Sequence, residues 1–129
     1  SDNMDTIGFL KDIRNATIAN SAILIFHIWV AFEFEGMGFL VMVIILGAIV
    51  AGAYYTKGKI GAALLALPTL GYILLTPELV SALTEDPGIM EYILIPFWWA
   101  TTIMNCFVIY AEATGNSKYA KASNSLLEE

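Results

Sequence analysis

His27 and Cys106 are the only histidine and the only cysteine of this 129-residue chain, and both fall inside long apolar runs. Histidine is the side chain whose charge ordinarily changes near neutral pH, and an ionisable group within a membrane segment is a functional candidate by default. His27 is therefore the first place to look for proton or metal chemistry. A metal or haem needs several ligands at once, and on transmembrane helices His27 would stand about five residues from one membrane face and Cys106 about five from the other. At about 1.5 Å of rise per residue, the two would differ in height by roughly 10–15 Å, too far to share an ion. His27 thus remains the candidate metal ligand within the apolar runs, a hydrogen-bonded structural role is the commoner explanation, and no cofactor is expected.

Around His27 the sequence places Thr17, Asn20, Leu24 and Ala31 at alternating spacings of three and four, which puts a polar stripe on one face of a helix. Near the other end of the chain, Thr101, Thr102, Asn105 and Cys106 offer a second stripe. Two such stripes in a bilayer are expected to face each other, because hydrocarbon offers a polar group no partner. Glu33, Glu35 and Glu91 form a third set, three carboxylates able to attract a hard cation, although solvated loop charges are the simpler reading. No glycine-rich phosphate loop, CxxC pair or paired haem histidines is present, so no catalytic residues are assigned and the chain reads as a non-enzyme.

The elements that would carry these residues are set by where charge is missing. Four stretches have none: residues 15–32, 36–56, 60–77 and 92–111, running 18, 21, 18 and 20 residues. A bilayer core about 30 Å thick needs roughly 20 helical residues. The whole chain is 58% hydrophobic and 14% charged, against about 45–50% and 25% in soluble proteins. One membrane domain over residues 1–129 is predicted, an all-α four-transmembrane-helix bundle with spans near 15–33, 36–56, 60–76 and 90–112. No cleavage site follows the first apolar run, so it is expected to stay in the mature protein.

Lys11, Arg14, Lys57, Lys59, Lys118 and Lys121 all fall on one side of this topology, while Glu33, Glu35, Glu78, Glu85, Asp86 and Glu91 fall on the other. The positive-inside rule then predicts both termini in the cytoplasm and a cell (plasma or inner) membrane location. With a net charge of −6 and no basic patch, nucleic acid is not an expected partner.

Ile7, Leu10 and Ile13 predict an interfacial amphipathic helix running into the first span. Thr76, Pro77 and Glu78 read as cap, first-turn proline and first-turn acid of a short outer helix through about Leu83. Trp29, Phe32 and Phe34 would mark the outer interface, and Tyr54, Tyr55 and Tyr110 the inner one. Gly47 with Ala51, Ala48 with Gly52, and Gly58 with Ala62 and Ala66 recur four apart, the spacing that lets membrane helices approach closely. Pro68 should kink the third span, with Gly71 loosening the next turn.

Together these features predict a non-catalytic accessory or structural subunit of a multi-subunit membrane complex, its partners the lipid bilayer and other membrane subunits. An energy-converting or oxidising enzyme is the expected host. The alternative is a small homo-oligomeric channel or transporter using the Pro68 kink and the Asn20, His27 and Asn105 seam.

Overall fold

The computed structural model describes residues 7–34, 37–86 and 88–116, with side chains throughout except at 30–34, 37, 39, 82 and 90. Among them there is no strand. Five helices follow one another: α1 (Ile13–Phe34), α2 (Met37–Thr56), α3 (Gly58–Leu74), α4 (Thr76–Thr84) and α5 (Ile89–Ala113). The four long ones form a ring in which α1 packs on α2, α2 on α3, α3 on α5 and α5 back on α1. The connections are short, which makes successive long helices antiparallel and leaves α4 lying against α3 and α5.

Glu91–Ala113, 23 residues within α5, is the one helix among the described residues both long and apolar enough to cross a membrane. Leu40–Thr56 and Gly58–Leu74 are apolar but shorter. The four-span expectation therefore narrows, on length and apolarity, to an all-helical protein with one candidate span. For α3 the reason is plain arithmetic, since its 17 residues rise only about 25 Å against a core of about 30 Å.

Two local expectations change. The amphipathic segment does not run on into α1. Residues 7–10 are helical, Lys11 and Asp12 interrupt, and α1 starts afresh with the Arg14 N–H donating to Asp12 Oδ1 at 3.0 Å. Asp12 acts as a helix cap, which favours a new start over continuation. Thr76, by contrast, caps nothing: its hydroxyl donates back to the Tyr72 carbonyl at 3.2 Å. Leu75 keeps helical dihedrals (φ −84, ψ −5), its N–H bonds to Gly71 O, and its carbonyl accepts from Leu79 N. Because hydrogen bonding passes almost unbroken from α3 into α4, no orphan N–H is left at Thr76 to cap.

The small residues are divided differently from the simple stripes. Gly47 faces Leu24 of α1, Ala48 and Ala51 are exposed, and Gly52 meets Leu64 of α3. Ala62 is buried and Ala66 half-buried on α3. Gly58 supports the turn instead, at φ +56 directly after Lys57 at φ 52. The closest approach lies at Gly61, where an added Cβ would stand 2.7 Å from Ile13 Cδ1 and 3.0 Å from the Ala53 carbonyl oxygen.

Gly61→Ala is expected to destabilise the bundle by about 1–3 kcal/mol, because a backbone carbonyl cannot step aside. Gly71→Ala, where a Cβ meets nothing within 4 Å, should lose no stability and can gain up to about 1 kcal/mol. Unfolding titrations in detergent micelles measure both, and equal behaviour of the two variants would contradict this packing.

Candidate functional site

The innermost polar residues of α1 and α5 meet. Asn20 and Asn105, both fully buried, exchange hydrogen bonds: Asn20 Nδ2 donates to Asn105 Oδ1 at 2.8 Å and Asn105 Nδ2 donates to Asn20 Oδ1 at 3.3 Å. The second Asn20 amide hydrogen goes to the Ala16 carbonyl at 2.6 Å. Tyr72 on α3 completes the set, its hydroxyl donating to Asn20 Oδ1 at 2.9 Å. A carboxamide has two donor hydrogens and two acceptor lone pairs, and all four of Asn20 are used. This triad clamps α1, α3 and α5 at one level. It contains no group that ordinarily titrates near neutrality, and the Asn20 amide has no donor or acceptor left over.

The threonines beside it stay within their own helices. Thr17 donates to Arg14 O, Thr101 to Phe97 O and Thr102 to Trp98 O, at 2.8, 2.9 and 3.0 Å. Asn20 and Asn105 are the stripe residues whose side-chain hydrogen bonds join α1 to α5. Cys106 is exposed and free, away from the triad.

His27 lies one layer further toward the α4 end, where it is buried. Its Nδ1 sits 2.9 Å from the Ile23 carbonyl, an atom that can only accept, so Nδ1 carries the proton in this contact. The ring packs against Trp98 at 5.2 Å between centroids, and Trp98 packs edge-on against Tyr72 at 5.3 Å. Beside this aromatic layer a cavity of about 360 Å³ opens between α2 and α3, next to Pro68 and Gly71. Its walls are almost wholly hydrocarbon. Among the described residues no three His, Cys, Asp or Glu side chains gather to hold a metal. Glu91 is exposed, and the side chains of Glu33 and Glu35 lie outside the described residues, as do those of Phe32 and Phe34.

Two members of this interior were not picked out by sequence. Tyr72 lies within the third charge-free stretch, where a buried hydroxyl needs a partner, and that was the available signal. Glu112 follows directly after the charge-free stretch that ends at Ala111, which made it look like a boundary residue. It is instead 1% exposed, and neither carboxylate oxygen has a hydrogen-bond partner. Val108, one turn before it, packs with Ile13 and Ala16 of α1. Asn116, one turn after, accepts a hydrogen bond from Lys11 Nζ at 3.1 Å. Glu112 therefore lies on the α5 face turned toward the start of α1, at the end of the bundle that also holds Arg14, Lys57 and Lys59.

No protein-family model, curated protein or solved structure matches this chain.

Removing the hub should cost more than removing a spoke. Tyr72→Phe deletes one hydrogen bond and is expected to cost about 0.6 kcal/mol, whereas Asn20→Leu strands Asn105 and the Tyr72 hydroxyl together and should cost more. A double-mutant cycle of Asn20→Leu with Asn105→Leu in micelles should give a coupling of about 0.6–2 kcal/mol. Strict additivity would show that the pair does not interact.

Proposed function

We propose that this chain is an integral membrane protein whose four long helices cross the bilayer together, and that it serves as a non-catalytic structural subunit of a larger membrane complex. One observation carries the reading: fully buried polar side chains lie within the core while large aliphatic side chains cover the outside. Asn20, Asn105, Thr17 and Thr101 are at most 2% exposed, while Ile18, Ile25, Ile44, Ile60, Leu70, Leu74, Ile93 and Ile103 are between 55% and 76% exposed. A water-soluble fold has the opposite arrangement. In hydrocarbon it is the favourable one, since lipid tails solvate the isoleucines and the polar groups must satisfy one another.

The shortness of α3 does not count against a crossing. Hydrogen bonding continues through Leu75 into α4, and the first turn of that helix supplies the missing height. Most of the apolar stretch of α5 faces outward too, with 28% of it buried inside the protein. Orientation follows the charges: Lys11, Arg14, Lys57 and Lys59 cluster at the end proposed to be cytoplasmic, where both chain termini would lie.

A structural role is favoured by how the interior polar groups are engaged. The Asn20 amide is saturated, the His27 Nδ1 proton is held by its own helix, and Ile13, Leu65 and Val108, each 0% exposed, fill the core beside the triad. A channel along the Asn20, His27 and Asn105 seam would need that packing to open. The host is proposed only as a membrane complex, since no described residue favours an energy-converting or oxidising enzyme over another host.

Gentle solubilisation of source membranes followed by native electrophoresis is expected to show the chain co-migrating with other subunits. A lone 14.1 kDa species would count against the structural role. Recovery of monodisperse protein from an aqueous lysate without detergent would defeat the membrane assignment itself.

A further inference from the structure

We infer that Glu112 is the docking point for a cationic side chain, lysine or arginine, of a neighbouring subunit in the membrane complex. The inference rests on the structural-subunit reading above. Its starting point is an imbalance: a carboxylate 1% exposed, with no donor on either oxygen, is the least favourable arrangement in the described structure. Removing a carboxylate from water is costly, and a cation with good geometry is what ordinarily offsets that cost.

Three of the chain's own cations at this end have contacts with other groups. Lys11 Nζ reaches the Asn116 carbonyl, Arg14 pairs with Asp12 at 3.5 Å, and the Lys57 ammonium stands 5.6 Å from the centre of the Tyr54 ring. Those charges are partly in water, where screening weakens their repulsion of an incoming cation. The attraction of an unpaired carboxylate in a low-dielectric interior is screened far less and decides the balance.

A way in exists as well. Of the four helix pairs around the ring, α1 and α5 have the sparsest contact. At the basic end the seam between them is tied by an exposed hydrogen bond, Lys11 Nζ to Asn116 O. Exposed bonds of this kind exchange readily with water and contribute little. A partner helix laid along the α1–α5 seam would displace that tie and bring a basic side chain to Glu112.

The test compares wild type, Glu112→Gln and Glu112→Asp, each measured both as the isolated chain and in the complex from source membranes. Glutamine keeps the shape and removes the charge. The isolated Glu112→Gln chain should melt no lower than wild type, because an unpaired charge has been removed. In the complex, its retention by partner subunits should weaken roughly 30-fold or more, the lower range for breaking a buried charge pair at an interface. Glu112→Asp should restore part of that retention.

Unchanged retention of Glu112→Gln would overturn the inference while leaving the subunit reading intact. A lower melting point for the isolated Glu112→Gln chain would also overturn it, by revealing a cation such as Lys118 or Lys121 of the same chain as the partner. Wild-type protein that retains no other subunit would overturn the subunit reading and this inference with it.

Discussion

In the bilayer setting proposed above, hydrocarbon offers a polar group nothing to bond with, and that constraint would decide how these helices sit. Apolar faces cannot choose neighbours inside a bilayer, because a leucine against a leucine is scarcely better off than a leucine against a lipid tail. The discriminating contacts are the few groups that lipid cannot satisfy. Asn20 is the centre of them, bonded to its own helix through Ala16, to α5 through Asn105 and to α3 through Tyr72. Rotating α1 by one residue, about 100°, would turn Asn20 out of reach of both partners at once.

The second helix has no share in this network and is held by other means. Its link to α3 is the single residue Lys57, at φ 52, followed by Gly58 at φ +56. Two successive left-handed residues reverse the chain within a very short distance, and only the glycine adopts that conformation without steric cost. The helices then run close enough that Gly61 admits no side chain beside Ala53 and Ile13. Position on α2 is thus fixed by backbone approach, and position on α1, α3 and α5 by hydrogen bonds.

The helices were legible in sequence because absence of charge is a local property that needs no knowledge of neighbours. The asparagines were legible as well, since a carboxamide within a long apolar stretch is expected to find a polar partner inside the protein. What could not be read was three-body geometry. Nothing in the spacing of α3 says that Tyr72 points at Asn20, and small residues four apart on α2 and α3 gave several possible close contacts without identifying Gly61 with Ala53. Thr76 misled for a different reason, because its cap signature depends on a helix starting there, and Leu75 carries the preceding helix through. Glu112 misled most. Stretches were bounded by where charge resumes, so a charged residue folded inside the bundle was counted as the edge of it.

The two buried polar centres make opposite statements under the same rule. At the triad, donors and acceptors match one for one, and the protein needs nothing from outside to hold α1, α3 and α5 together. At Glu112 two buried acceptor oxygens have no hydrogen-bond donor. A chain selected only for its own stability would replace that carboxylate with a neutral residue of similar size, because an uncompensated buried charge is among the largest single penalties a fold can carry. Its presence places an unsatisfied carboxylate at the basic end of the α1–α5 seam, the helix pair with the sparsest contact around the ring.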